Sequence, residues 1–172
     1  IEKLQWVNQQ HISKLSNLKL SELLMQLALE QNIELPSLKK LQPFAGAYKS
    51  RIVNLNDLLS YADKLFSNNF VVDAEAAKKH LKPSILEPLQ DLTSLFEETT
   101  WASVSIHQAI ENICQKHEIG FGKIGQPLRV AVTGGTISPP IDITLTLIEK
   151  ELAILRLKSA IDYIENGMTV PS

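Results

Sequence analysis

The chain is poor in the residues that form covalent and metal cross-links. Its 172 residues include one cysteine, Cys114, so we expect neither an internal disulfide nor a cysteine-based zinc site. A chain without disulfides is typical of a reducing compartment, and we expect a cytoplasmic protein. No apolar run approaches the roughly 20 residues that cross a bilayer, so we expect no membrane partner.

The ends of the sequence also lack processing signals. The first residue is Ile1, and the basic, apolar and small-residue pattern of a signal peptide does not follow it. The opening "IEKLQWVNQQ" already has helical periodicity, which favours a chain that is the tail of a longer protein. The closing "NGMTVPS" is typical of a frayed terminus.

Charge of one sign does not dominate the chain. Its 17 Lys and Arg residues oppose 19 Asp and Glu residues, which gives a formal net charge of -2. Residues 1–86 carry 11 basic and 8 acidic residues, whereas residues 87–172 carry 6 basic and 11 acidic residues. A nucleic-acid partner therefore requires a local basic patch rather than a global positive field.

Apolar residues recur at three- and four-residue spacings through most of the chain, which predicts helices. We expect an all-α fold of two packed helical subdomains, residues 1–72 and residues 73–172, joined near residues 68–76. Gly120 and Gly122 are predicted to end a helix. The alternation of Leu128, Val130 and Val132 indicates a short extended piece inside an irregular loop at residues 120–141. A long apolar stripe from Ile141 to Leu155 then predicts one continuous helix, which Ile161 and Ile164 extend to the end of the chain.

Motifs for metal or cofactor chemistry are absent or lie in the wrong context. The four histidines, His11, His80, His107 and His117, do not form a metal-ligand spacing such as H-E-x-x-H. The segment "GFGKIGQP" matches G-x-G-x-x-G, but a dinucleotide site needs a preceding strand and a following helix. Cys114 is expected to pack in the core. A small helical enzyme with His107 or Cys114 in a pocket remains the weakest alternative.

One arginine lies in an otherwise apolar segment, "PLRVAVTGG". Arg129 either pairs with a carboxylate across a helix bundle or projects into a site, and the residue pattern favours neither. Its planar fork of donors suits base edges or phosphates. The following loop, with two glycines and two prolines, suits recognition of unpaired bases. Lys49 and Arg51 in "AYKSRIVNL" form a second basic turn, for which a solvated surface is the alternative.

Three segments make the chain resemble the C-terminal region of bacterial glutamyl-tRNA synthetases: "EKLQWVN", "DAEAAKKHLKP" and "GKIGQPLRVAVTGGTISPPIDITLTLI". The resemblance covers nearly the whole chain and implies the all-helical anticodon-binding region of a class I synthetase, a helix bundle followed by a helix cage. It implies tRNA(Glu) and the parent's N-terminal catalytic domain as partners, in a monomer. The HIGH and KMSKS signatures are absent, so ATP and Mg belong to that catalytic domain, and no cofactor is expected in this region.

The resemblance also implies roles for single residues. Arg51 looks like the family arginine that reads the third anticodon base, and Arg129 looks like the arginine that reads the second. Ser138, Pro139 and Ile141 resemble the residues that cradle the flipped bases. Ser138 replaces a threonine that some members have, which is a mild change.

Three lysines are expected to contact tRNA phosphates and to add affinity without sequence preference: Lys39, Lys40 and Lys49. The alternative to a tRNA-binding region is a helical protein–protein adaptor without an RNA role. The acidic second half and the stripe from Ile141 to Leu155 favour that alternative. An outward-facing stripe would support the adaptor.

Overall fold

The computed structural model describes residues 9–67 and 70–167, and this part of the chain is helical without a strand. The all-α prediction is therefore confirmed. The chain divides into two compact units, Ile1–Asn68 and Asn69–Ser172, slightly before the predicted boundary between residues 72 and 73. The segment "EKLQWVN", with Trp6, and residues 168–172 lie outside the described residues. None of the described helices combines the length and apolar character needed to span a bilayer.

The described part of the first unit is a small helical bundle. Its elements are a helical segment at residues 9–14, α1 (Asn17–Glu30), α2 (Leu38–Tyr48), a 3-10 turn (Lys49–Arg51) and α3 (Leu55–Phe66). Ser16 caps α1 by accepting a hydrogen bond from the Lys19 backbone N–H. Asn54 and Asp57 form a reciprocal capping box at the start of α3.

Aromatic side chains fix the end of α2, where the basic turn begins. The Tyr48 ring lies 4.6 Å from the Phe44 ring and 5.0 Å from the Tyr61 ring, measured between centroids. Phe44 also meets Phe66 edge to face at 5.3 Å. Because Phe44 and Tyr48 are fully buried, these contacts hold the end of α2, from which the 3-10 turn Lys49–Arg51 continues, against α3.

The second unit contains more helices around a larger core. Its described elements are α4 (Ala74–His80), a 3-10 turn (Pro83–Ile85), α5 (Leu86–Glu98), α6 (Ser103–Lys116), α7 (Phe121–Thr133), α8 (Ile141–Thr146) and α9 (Lys150–Asn166). α7 is the central element, because it packs against α4, α6 and α9. α9 also packs against α5.

The predicted extended piece at Leu128, Val130 and Val132 is wrong, because these residues lie in α7. All three are buried, and so is Ala131 between them. The buried residues directly flank Arg129, so the last turns of the helix show an apolar alternation that resembles a strand. The predicted irregular loop at residues 120–141 shrinks to residues 134–140.

The two glycines predicted to end a helix lie instead at the start of the next one. α6 ends at Lys116. Shortly after the helix end, Glu118 adopts a left-handed backbone conformation with φ 51°. Gly120 caps the N-terminus of α7, and Gly122 lies in its first turn.

The predicted continuous helix from Ile141 to Leu155 is divided into α8 and α9. Trp101 occupies the break, because its Nε1–H lies 3.1 Å from the Leu145 carbonyl oxygen and 3.0 Å from that of Ile148. The indole therefore satisfies carbonyls that a continuous helix would have bonded internally. The Trp101 ring also packs edge to face against Phe96, at 5.4 Å between centroids.

Gly134 turns the chain after α7. Its φ is +75°, a left-handed conformation, and its N–H closes the helix on the Val130 carbonyl at 2.9 Å. The Gly134 carbonyl accepts a hydrogen bond from the Asp73 N–H at 2.8 Å. A Cβ at position 134 would collide with the Val71 carbonyl oxygen. Both the conformation and the close approach therefore require glycine.

We predict that Gly134→Ala lowers the free energy of unfolding by more than about 2 kcal/mol, since it adds left-handed strain to a backbone collision. Gly135→Ala is the matched control, because a Cβ at Gly135 meets nothing within 4 Å and its φ is not left-handed. Urea unfolding followed by circular dichroism measures both variants. Equal stability of the two variants would contradict the requirement for glycine at position 134.

Candidate nucleic-acid interface

Arg129 lies on α7 and is half-buried. Its Nε–H donates to the Ser138 hydroxyl at 2.8 Å. This bond spans the turn at Gly134 and joins the helix to the loop that follows it. The structure therefore gives Arg129 a hydroxyl partner on the loop.

The Ser138 hydroxyl belongs to a buried polar network. Ser138 is 9% exposed and Thr144 is fully buried. Ser138 Oγ accepts from Arg129 and donates to the Pro139 carbonyl at 2.8 Å. Thr144 Oγ1 lies 3.0 Å from Ser138 Oγ and 3.1 Å from the carbonyl oxygens of Pro139 and Pro140. The buried network therefore fixes both the loop and the guanidinium that is bonded to it.

Pro139 and Ile141, the other two residues predicted to cradle bases, are also buried. Both residues lie at the end of the loop, where α8 begins. Two neighbouring isoleucines are exposed instead: Ile137 by 58% and Ile143 by 38%. The segment around Arg129 therefore presents a hydrogen-bonding group beside apolar surface.

Sequence reasoning missed Ile137, Ile143 and Thr144. In "TISPPIDIT" the apolar residues lie beside Thr, Ser and Asp, and the predicted stripe that begins at Ile141 includes none of the three missed residues. A large apolar residue inside a segment rich in glycine and proline is the signal that identifies Ile137, since such loops lie on the surface.

A buried arginine supports the end of α7. Arg156 on α9 is 4% exposed, and its Nη1 donates to the Val132 carbonyl at 2.7 Å. Its guanidinium lies 3.9 Å from the centroid of the Phe70 ring. Burial lowers the pKa of Arg156 to about 10, so the group stays charged at neutral pH. Arg156 therefore anchors the last turn before Gly134.

The basic turn of the first unit places its two cations differently. Arg51 is exposed, and its Nη1 lies 3.2 Å from both the Ala47 carbonyl oxygen and the Ser50 hydroxyl. Lys49 is half-buried, and its ammonium group donates to the Leu15 carbonyl. Arg51 is thus at the surface, whereas Lys49 is engaged within the fold.

Lys39 and Lys40 lie in the first turn of α2 and are exposed. A cation at a helix N-terminus opposes the helix dipole, so this position does not stabilise α2. Their exposure allows a contact with an external anion, which is what the phosphate-binding prediction requires.

The weakest alternative, a small enzyme, loses support. Burial raises the pKa of the Cys114 thiol, which keeps it protonated at neutral pH and lowers its nucleophilicity. His107 is exposed and stacks on Phe121 at 5.1 Å between ring centroids. Within residues 9–67 and 70–167, no group of three His, Cys, Asp or Glu side chains is arranged to hold a metal ion.

The stripe that favoured a protein–protein adaptor is largely internal. Ile141, Leu145 and Ile148 are buried, whereas Leu155, the last residue of the stripe, is exposed. The apolar residues therefore build the core of the second unit and do not form a continuous outer surface.

Solved structures and curated relatives agree on one class of protein. Glutamate–tRNA ligase 2 of Coxiella burnetii (strain Dugway 5J108-111) is 33% identical over 168 residues, which are 97% of this chain and 36% of the relative. A crystal structure of a glutamate tRNA ligase from Elizabethkingia meningosepticum, in complex with its amino acid, has a TM-score of 0.84 at 26% identity. The aligned region covers 95% of the present chain and 32% of the solved ligase chain.

A second solved structure, the glutamate–tRNA synthetase of Elizabethkingia anophelis, has a TM-score of 0.77 at 25% identity and covers 94% of this chain and 31% of its own. The chain spans about a third of the length of the curated relatives that it matches. The resemblance inferred from the sequence motifs is thus confirmed. Residues 8–161 match the model of the anticodon binding domain, and the chain belongs to this family.

Proposed function

We propose that the chain is the C-terminal anticodon-binding region of a glutamate–tRNA ligase and that it recognises the anticodon of tRNA(Glu). The parent enzyme would then attach glutamate to that tRNA in an ATP-dependent reaction at its catalytic domain. The observation that carries the proposal is the orientation of Arg129 by Ser138 on a loop fixed by buried hydroxyls.

A guanidinium held in this way suits base reading. Anticodon bases are unstacked, so their Watson–Crick edges are accessible to side chains. Arginine carries five N–H donors in a rigid fork, and the Nε bond to Ser138 fixes the plane of that fork. The exposed Ile137 and Ile143 offer apolar surface to the flat face of a base. We assign the second anticodon base to Arg129.

The buried loop residues contribute by fixing the conformation of the loop. Pro139 and Ile141 hold the loop on α8, and Ser138 holds the arginine, so these three residues cradle the bases through the geometry that they impose. A preorganised loop loses less conformational entropy than a flexible one when the RNA binds.

The first unit supplies a second arginine and the phosphate contacts. We assign the third anticodon base to Arg51, which is exposed. Lys39 and Lys40 would contact backbone phosphates and add affinity without sequence preference. Lys49, which contacts the Leu15 carbonyl, would have to exchange that bond for a phosphate.

The remaining assignments follow from the same proposal. The chain would act as a monomer in the cytoplasm, with the catalytic domain of its parent as its protein partner. ATP and Mg would bind to that catalytic domain, and this region would require no cofactor.

We predict that Arg129→Lys reduces discrimination between tRNA(Glu) and a tRNA(Glu) with a changed second anticodon base. Lysine retains the positive charge but loses the planar fork, so specificity falls by about 1–3 kcal/mol, roughly 5- to 150-fold. The salt dependence of binding should stay unchanged. Binding of both tRNAs, measured at several salt concentrations, tests this.

Lys39→Ala is the control for that experiment, because it should show the opposite pattern. Loss of a phosphate contact weakens both tRNAs by the same factor and lowers the salt slope by about 0.7–0.9. Full discrimination by Arg129→Lys would argue against base reading at this position.

We also predict that Ser138→Ala lowers anticodon discrimination without changing the salt dependence, because the guanidinium keeps its charge and loses its fixed plane. Ser94→Ala is the matched control, since Ser94 is exposed on α5 and its hydroxyl bonds only the Gln90 carbonyl of its own helix. Both variants are compared with the same pair of tRNAs. If Ser138→Ala discriminates as well as Ser94→Ala does, the orienting role is excluded.

A further inference from the structure

A basic cleft lies in the second unit, between the end of α4, the 3-10 turn Pro83–Ile85 and the start of α7. Its volume is about 380 Å³, within the range of small-ligand pockets. Lys79, Lys82 and Lys123 line it, and no Asp or Glu is among its lining residues. This composition is unexpected, because the unit Asn69–Ser172 carries 9 Lys and Arg against 13 Asp and Glu.

Unlike most other lysines of the unit, the three lysines have no side-chain partner among the described residues. Lys116 pairs with Asp91 at 2.7 Å, and Lys158 pairs with Glu97 at 3.0 Å. Lys79, Lys82 and Lys123 are exposed and form no ion pair with the described residues of the chain. Three like charges around one concave surface repel each other, so an anion bound among them would be stabilised by all three.

Two further groups in the cleft add to this. His80 also lines the cleft. The pKa of His80 is lowered, mainly by burial and to a smaller extent by the positive charges of Lys79 and Lys82. Gln126 lines the opposite side, and its Oε1 is buried without a hydrogen-bond partner among the described residues. A buried acceptor without a donor is destabilising, and a ligand with an N–H or O–H group would supply the missing hydrogen bond.

We propose that this cleft binds one nucleotide unit of an RNA backbone, with the phosphate among Lys79, Lys82 and Lys123 and a ribose hydroxyl or base donor directed to Gln126. A phosphate alone satisfies the lysines and leaves the amide unpaired. A nucleotide satisfies both, because ribonucleotides carry hydroxyl donors beside each phosphate.

The cleft continues the surface assigned to anticodon reading. Gln126 and Arg129 are three residues apart on α7, so they are neighbours on its surface. A strand whose base meets Arg129 would place an adjoining backbone unit at the cleft. The inference rests on the proposed function for the identity of the polyanion, and its test therefore uses an RNA without the glutamate anticodon.

The test titrates the isotope-labelled chain with an oligouridine hexamer and, separately, with inorganic phosphate at matched ionic strength. We expect the amide signals of Gly122 and Lys123 to shift with the hexamer at a concentration at least about tenfold lower than with phosphate. Lys79→Ala and Lys123→Ala should each lower the salt slope of hexamer binding by about 0.7, the value for one phosphate contact to a single strand.

Lys78→Ala is the matched control, because Lys78 is exposed on the same helix but does not line the cleft. It removes the same charge and should leave the salt slope and the shifts of Gly122 and Lys123 unchanged. Gln126→Leu should weaken hexamer binding and leave phosphate binding unchanged.

Three results would overturn the inference: an equal loss of slope in Lys78→Ala, shifts that saturate with phosphate as readily as with the hexamer, or no shift at Gly122 and Lys123. These results leave the anticodon discrimination by Arg129 untouched. Conversely, hexamer binding in the cleft without anticodon discrimination would refute the proposed function alone.

Discussion

The hydrogen bond between Arg129 Nε and Ser138 Oγ is the contact on which the rest of the second unit's interface depends. It joins residues that lie on either side of a chain reversal, so it exists only if the backbone turns sharply after α7. Gly134 provides that turn in a conformation that other residues avoid. Thr144, fully buried in α8, then fixes the serine. The position of one guanidinium is therefore the product of a backbone conformation and a buried hydroxyl.

Electrostatics and geometry serve different purposes in such an interface. Lysines attract a phosphate backbone without regard to sequence, whereas a fixed arginine distinguishes base edges. The second unit is acidic overall, with 9 basic and 13 acidic residues, so its general field does not favour RNA. The proposed RNA binding would then depend on the few places where cations are grouped without carboxylates. An acidic background of this kind suppresses non-specific contacts, because an RNA that misses those places is repelled.

The sequence allowed the helices to be predicted wherever one face is polar. The start of α3 shows why, because the reciprocal hydrogen bonds of Asn54 and Asp57 depend on residues that are close in the sequence. The end of α7 could not be predicted in the same way, since Leu128, Val130 and Val132 are all buried and their alternation around Arg129 resembles a strand. The division between α8 and α9 also depends on a distant residue, Trp101. Arg129 was identified by its isolation among apolar residues, but its partner Ser138 was implied only by the family resemblance.

The stiffness of the loop does not come from its prolines alone. Arg156 is enclosed with a full charge, and its Nε and Nη2 have no hydrogen-bond partner among the described residues. Such a group reduces stability, because desolvation of a cation is only partly offset by one carbonyl and one aromatic ring. Its bond holds the Val132 carbonyl two residues before Gly134, where the turn begins. The fold therefore retains a costly buried cation at the point where a shift of α7 would displace the loop. This arrangement is what a site that depends on the angle of one guanidinium requires.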